Sequence, residues 1–360
     1  MFNIKIKLIL CLSLLFVLSI NNYVFSKSNI FPDNSAEGAI LIDVETGRIL
    51  YEKKPDKQLG IASLTKIMTA IIALENGDLK EMVKTSSNAF GVEGSSIYLK
   101  NGEELTLEDM LYGLMLRSGN DAAVAIAEHI GGSIEGFAYL MNEKAIYLGM
   151  SNSHFMNPHG LDHPDHYSTP KDMAILTAYA LKNPTFKEIV STKVKTAPVQ
   201  GENWNRKWYN KNKLLSLYQW ADGVKTGYTK LAKRCLASSA TKNNFQLAAI
   251  TLNAPNDWND HIRLFEFGFE NYQHITIVEK GEIIAETNEG LTIIAESSFS
   301  YPLKELEKNL INKEIYINED AKTKYVGKIK IYLNEKYIGS VSLKIKENET
   351  FGRKVINVLK

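Results

Sequence analysis

The apolar residues Leu64, Ile67, Met68, Ile71, Ile72 and Leu74 recur around most of a helical circumference, so "IASLTKIMTAIIALENG", residues 61–77, predicts a buried central helix. Just upstream, "EGAILIDVETGRILYE", residues 37–52, alternates apolar and polar positions about Glu45-Thr46-Gly47 and predicts a two-stranded hairpin. From Leu79 to about Lys187 the period becomes mostly helical. "LTLEDMLYGLMLRS" follows a capping Thr106, "NDAAVAIAEHI" stops at Gly131-Gly132, "GFAYLMNEKAIYLG" stops at Gly149, and "PKDMAILTAYALK" follows Thr169. Period-two patterning then returns in "DGVKTGYT", "RCLASSATK" and "FQLAAITLN", which predict neighbouring antiparallel strands. "WNDHIRLFEFGFENY" reads as an amphipathic helix after them. The rest is strand-rich, with hairpins expected about Lys280-Gly281 and Asn334-Glu335.

A helical block thus interrupts a sheet-and-helix domain, and an all-β segment follows. At 360 residues the chain exceeds the usual single core, which agrees with two domains, 27–272 and 273–346. Lys5 and Lys7 precede an apolar stretch from Leu8 to Ile20 and a small-residue cleavage point at Val24-Phe25-Ser26, the form of a secretory signal peptide over residues 1–26. The apolar stretch is shorter than the ~20 residues of a spanning helix. Residues 347–360 carry Phe351, Val355, Val358 and Leu359 at helical spacing among Arg353, Lys354 and Lys360. They form either a short amphipathic foot on an anionic membrane or a frayed end.

Composition changes this picture little. With 44% hydrophobic and 23% charged residues the chain has material for a core and no signature of disorder. Without residues 1–26 it holds 40 basic and 41 acidic residues, so nothing calls for nucleic acid. Cys235 is then the sole cysteine, no internal disulfide can form, and the fold rests on its packing.

Candidate chemistry begins inside the buried helix. Lysine is rarely buried without a partner, yet Lys66 lies three residues after Ser63, on the same face and at the positive end of the helix dipole. Burial and nearby positive charge both lower a lysine pKa, and a neutral lysine can accept a serine proton. An N-cap serine beside a snorkelling lysine has the same spacing, and Ser239 and Lys242 repeat it. Two further triplets add context. Ser118-Gly119-Asn120 sits between two helical stretches, and Lys225-Thr226-Gly227 lies on a predicted strand, where a glycine often marks close approach of another backbone or a ligand.

This ordered set is the known signature of serine β-lactamases and penicillin-binding proteins. With "AILIDVETGRILYEKK", "ASLTKIMTA", "GSSIYLKNGEELTLEDMLYGLMLRSGNDAAVAIAEHIGG" and "MNPHGLDHPDHYST", the chain resembles the serine D-alanyl-D-alanine carboxypeptidases over nearly all of its mature length. The resemblance implies an α/β (α+β) fold: a β-lactamase/transpeptidase-like domain, with an antiparallel sheet and a helical subdomain, followed by a small all-β domain. It also implies roles. Ser63 is the nucleophile, Lys66 its base, and Ser118 with Lys225 the proton relay. Asn120 and Thr226 hold the substrate. Gly227 leads to Tyr228, whose N–H joins that of Ser63 in an oxyanion hole.

The implied activity removes the terminal D-alanine from peptidoglycan stem peptides outside the cytoplasmic membrane, without a cofactor, and the implied inhibitors are β-lactams. An endopeptidase or transpeptidase on the same residues, or a catalytically weak scaffolding protein, are the alternatives. The loop "NPHGLDHPDHYSTP" has no glutamate to activate a deacylating water, which favours a penicillin target over a β-lactamase. His154, His159, His163 and His166, near Asp162 and Asp165, raise the idea of zinc. They fall in a loop without helical register, in a segment the resembled family uses as a metal-free wall, so no metal is expected. One departure stands out: Asp257-Trp258 occupies the place where many relatives carry an arginine for the substrate carboxylate.

Overall fold

The alternating run after Glu37 forms the expected hairpin, β1 (Gly38–Asp43) and β2 (Ile49–Lys53), paired antiparallel. The computed structural model describes residues 32–199, 201–286, 290–318 and 323–346, so the expected leader and tail lie outside the described residues. A 3-10 turn, Ala62–Thr65, leads into α1 (Lys66–Asn76), whose first eight residues are all buried. Its apolar circumference has packing on every side.

The helical block opens with a small sheet the sequence did not announce, β3 (Met82–Lys84) with β4 (Glu104–Thr106). α2 (Leu107–Tyr112) begins where predicted, because the Thr106 hydroxyl accepts the Asp109 N–H at 3.1 Å. The expected helix does not run unbroken to Ser118. It changes to a π-helical turn, Gly113–Arg117, and ends with Ser118 in the left-handed region at φ 65°. α3 (Asn120–Gly131) and α4 (Ile134–Leu148) close at left-handed Gly132 and Gly149, as their sequences indicate. α5 (Pro170–Ala180) is capped by Thr169, and α6 (Pro184–Ser191) by Asn183. A second unannounced hairpin, β5 (Val194–Pro198) with β6 (Asn205–Tyr209), and the short α7 (Leu214–Leu217) complete the block.

β7 (Ala221–Thr229), β8 (Lys233–Lys242) and β9 (Phe245–Leu252) are antiparallel neighbours as predicted, and α8 (Asp257–Asn271) follows. β1 pairs with β9, which gives one five-stranded antiparallel sheet in the order β2-β1-β9-β8-β7. One face packs on α1 and the helical block, the other under α8 through Leu41, Leu236, Leu247 and Phe265. β7 is left as the edge strand, facing the turn that carries Ser63.

The C-terminal region is all-β: β10 (Gln273–Val278), β11 (Ile283–Glu286), β12 (Thr292–Ala295), β13 (Phe299–Leu303), β14 (Ile311–Ile317), β15 (Tyr325–Leu333) and β16 (Lys336–Ile345). The hairpin about Asn334-Glu335 is β15–β16. The one expected about Lys280-Gly281 is not a hairpin. β10 pairs with β13, and β11 joins a different sheet, β11-β12-β16-β15-β14. Alternation reveals a strand but not its partner, and here the partner is supplied from farther along the chain.

Described residues from Asp33 onward belong to one compact unit. Arg48 of the first hairpin ties the two sheet regions within it. Its guanidinium meets Glu307 at 2.6 Å, donates to the Pro302 carbonyl, and lies over the rings of Tyr272 and Tyr301 at 5.3 and 5.2 Å.

Candidate active site

The turn Ala62–Thr65 places Ser63 one helical turn before Lys66, and Lys66 Nζ lies 3.1 Å from Ser63 Oγ. Lys66 has no exposed surface. Its Nζ donates to Asn120 Oδ1 at 2.7 Å and to the His159 carbonyl at 2.6 Å. Burial, then the positive charges of Lys225 and Lys211, hold its pKa well below the ordinary lysine range, against an opposing pull from Asp121. Once deprotonated, the amine would keep its two hydrogens on these carbonyls and turn its lone pair to the serine hydroxyl 3.1 Å away. The snorkelling alternative fails on burial alone.

The second triplet lies where the π-turn meets α3. Ser118 is 4% exposed in its left-handed conformation, and Asn120 opens the helix. Asn120 bridges two elements, since Oδ1 accepts from Lys66 and Nδ2 donates to the Glu93 carbonyl at 2.5 Å. Its own N–H donates to the Ser95 carbonyl at 2.7 Å. The loop that supplies those carbonyls is anchored by Asp121, whose carboxylate accepts from Ser96 Oγ at 2.6 Å and from the N–H groups of Ile97 and Leu99, each at 3.1 Å.

The third triplet lies along the sheet edge. Lys225 is buried, donates to the Thr226 carbonyl at 2.8 Å, and has its pKa lowered to about 7 by burial and then by Lys211. Gly227 is where the strand meets the turn that carries Ser63. A Cβ there would stand 3.1 Å from the Ser63 nitrogen and 3.2 Å from the Ile61 carbonyl, so a side chain would push them apart. Tyr228 is exposed at the strand end, opposite Arg234 of β8. Ser63, Lys66 and Asn120 are therefore in direct contact. Gly227 abuts the Ser63 turn, Lys225 acts on Lys66 through its charge, and Ser118 is buried two residues before Asn120.

Several participants are absent from the sequence reading. Lys211 lowers the pKa of both buried lysines and donates to Ser95 Oγ at 3.1 Å; its position after the β5–β6 hairpin carried no local signal. The segment 154–166 supplies the His159 carbonyl to Lys66 and the Pro158 carbonyl to Thr69 at 2.6 Å. Its histidine rings face separate partners. His154 Nδ1 donates to the Asp165 carbonyl at 2.6 Å, His159 Nδ1 accepts from Leu161, and His163 Nδ1 accepts from Asp165. Among the described residues no group of three or more His, Cys, Asp or Glu side chains converges as a metal site. The arginine missing at Asp257-Trp258 has a counterpart from β8: Arg234 bonds Asp257 Oδ1 at 2.7 Å and lies over Trp258.

A serine hydroxyl within 3.1 Å of a buried lysine whose pKa is lowered, beside the edge strand of an antiparallel sheet, is the geometry of a serine acyl-transfer enzyme. The chain belongs to the D-alanyl-D-alanine carboxypeptidase family, peptidase family S11, whose model matches residues 25–256. It is 37% identical over 304 residues to the D-alanyl-D-alanine carboxypeptidase DacF of Bacillus subtilis (strain 168), covering 80% of this chain and 77% of that protein. Among solved structures it is similar to penicillin binding protein 5 from Haemophilus influenzae, with TM-score 0.73 and 28% identity over 88% of this chain and 98% of that one. A mutant of the Streptomyces K15 DD-transpeptidase aligns with TM-score 0.64 and 34% identity over 66% of this chain and 99% of that one. Among the described residues no helix is long and apolar enough to cross a membrane.

Proposed function

We propose that this chain is a serine D-alanyl-D-alanine carboxypeptidase that removes the terminal D-alanine of peptidoglycan stem peptides and is acylated by β-lactams. The observation that carries the reading is Lys66, wholly buried and bonded to two carbonyls, with Nζ 3.1 Å from Ser63 Oγ. In this scheme the Ser63 oxygen attacks the carbonyl between the last two D-alanines while its proton passes to Lys66. The oxyanion takes hydrogen bonds from the N–H groups of Ser63 and Tyr228. Ser118 and Lys225 pass a proton to the departing amine. Asn120 spends one amide hydrogen on the Glu93 carbonyl, and the other serves the substrate backbone. Thr226 binds the terminal carboxylate, assisted by the charge of Lys225. Water then releases the acyl group. A β-lactam enters the same path, and the absence of a glutamate from the 157–170 loop supports slow release of the penicilloyl group.

Residues 1–26 are read as the export signal, 27–272 and 273–346 as the two domains, and 347–360 as a tail that is either a peripheral membrane contact or a frayed end; export puts the enzyme outside the cytoplasmic membrane. The test is release of D-alanine from diacetyl-Lys-D-Ala-D-Ala by the purified protein, beside Ser63→Ala. Release lost in the variant supports the reading; no release with Ser63 still labelled by fluorescent penicillin transfers it to another acyl acceptor. The similarity to a DD-transpeptidase makes that second reaction specific, and an added amino acceptor that diverts the acyl group from water would establish it.

A further inference from the structure

Behind the nucleophile turn runs a hydrogen-bonded chain that the acyl-transfer scheme does not use. The Met156 N–H donates to His166 Nδ1 at 3.0 Å, so the neutral imidazole must carry its proton on Nε2. That nitrogen meets Thr65 Oγ1 at 2.8 Å, and the Thr65 hydroxyl donates in turn to the Ala62 carbonyl at 2.8 Å. The direction is fixed end to end, because each hydroxyl or ring atom has one remaining role.

The chain ends on a backbone that needs holding. Ala62 has φ 48°, in the left-handed region that a residue with a Cβ avoids, and it immediately precedes Ser63. Its carbonyl is pressed against the wall loop, where a Cβ on Gly160 would stand 1.9 Å from the Ala62 oxygen and 2.7 Å from Thr65 Oγ1. The same loop gives the His159 carbonyl to Lys66. His166 is 6% exposed and stands edge-on to Phe155, so its ring has little freedom to turn.

We propose that His166 is a positioning residue, a latch that acts through Thr65 to hold the left-handed turn at Ala62 and so aims the hydroxyl and N–H of Ser63. This rests on the acyl-transfer reading above. Burial, and then the charges of His154, His163 and Lys66, push the His166 pKa down to about 4, which keeps the required neutral tautomer in place near neutral pH. A doubly protonated ring would set an Nδ1–H against the Met156 N–H, and the chain would break.

The test compares native protein with His166→Leu, His166→Gln, Thr65→Val and Thr65→Ser, following penicillin acylation, D-alanine release and thermal melting. Glutamine can restore the N–H to Thr65 and serine the hydroxyl; leucine and valine cannot. His166→Leu and Thr65→Val are expected to lower the limiting acylation rate by about ten- to a hundredfold, the effect of misplacing a reacting group, with little change in apparent affinity. His166→Gln and Thr65→Ser recover most of that loss. Native-like rates in both apolar variants, or equal losses in apolar and polar replacements, overturn the proposal. If His166→Leu does not fold, the Thr65 pair decides it by the same criterion. A native protein that neither acylates nor releases D-alanine brings down the underlying reading instead.

Discussion

Two buried histidines make the stability of this protein depend steeply on pH. His166 is 6% exposed, and His261 has no exposed surface between Ser238 and Thr251, with the Thr251 hydroxyl 2.9 Å from Nε2. Burial is the first cause of both shifts, and the pKa values fall from an ordinary 6.5 to about 4 and about 3. Below pH 6.5 the unfolded chain therefore takes up protons that the folded chain refuses. The stabilisation is complete above the unfolded value and is lost as pH falls, ending near the folded value of each group. At pH 5 each histidine has cost about 2 kcal/mol, and the pair about 4 kcal/mol, against a total of about 5–15 kcal/mol for a typical domain. His159, part-exposed and lowered to about 3, adds in the same sense, while Asp257, whose carboxyl burial pushes up, works against it.

Urea unfolding followed by tryptophan fluorescence, stepped from about pH 7 to about pH 5, measures the slope, to which His166 and His261 together contribute about 2.7 kcal/mol per pH unit and His159 adds further. His261→Gln isolates one of them, because glutamine does not titrate and the site is outside the acyl-transfer machinery. Its free energy at pH 7 falls, but its slope drops by about 1.4 kcal/mol per pH unit relative to native. A flat native profile across this interval, or an unchanged slope in the variant, would refute the argument that burial keeps these rings neutral.

Three further outcomes follow from particular contacts. Lys66→Met keeps the buried volume but removes the proposed base, and is expected to slow penicillin acylation by about 10²–10⁴-fold, read from the rate of fluorescent labelling. Gly160→Ala introduces a Cβ at φ 83° and 1.9 Å from the Ala62 oxygen. It is expected to cost more than about 2 kcal/mol in thermal or urea melts and to depress acylation as the turn shifts. Arg48→Met leaves Glu307 and the Pro302 carbonyl without their cation, and is expected to cost about 2 kcal/mol in unfolding free energy while acylation at Ser63 stays native. Loss of labelling in Arg48→Met would show that the clamp acts on the site.

What the sequence disclosed follows the range over which each signal acts. The Ser63–Lys66 pair was legible because residues three apart share a face, and the burial of Lys66 because α1 is apolar all round. Gly227 was legible because a glycine within a strand marks close approach, here to the Ser63 nitrogen. Pairings within 20 or so residues, such as β7–β8–β9, were legible from alternation and turns. β1–β9 was not, since Gly38 meets Leu252 from across the helical block and no local pattern encodes that partner. β10 and β11 failed for the same reason.

The histidine-rich loop is the sharper case. Its composition raised the idea of metal ligands, but a ring nitrogen's use is decided by whichever group folding brings within hydrogen-bond reach, and here those groups are Thr65, Met156, Leu161 and Asp165. The loop serves the site through carbonyls at Pro158 and His159, atoms common to every residue type and therefore silent in sequence. Side-chain identity marks which groups react. The backbone that aims them at one another has to be read from the fold.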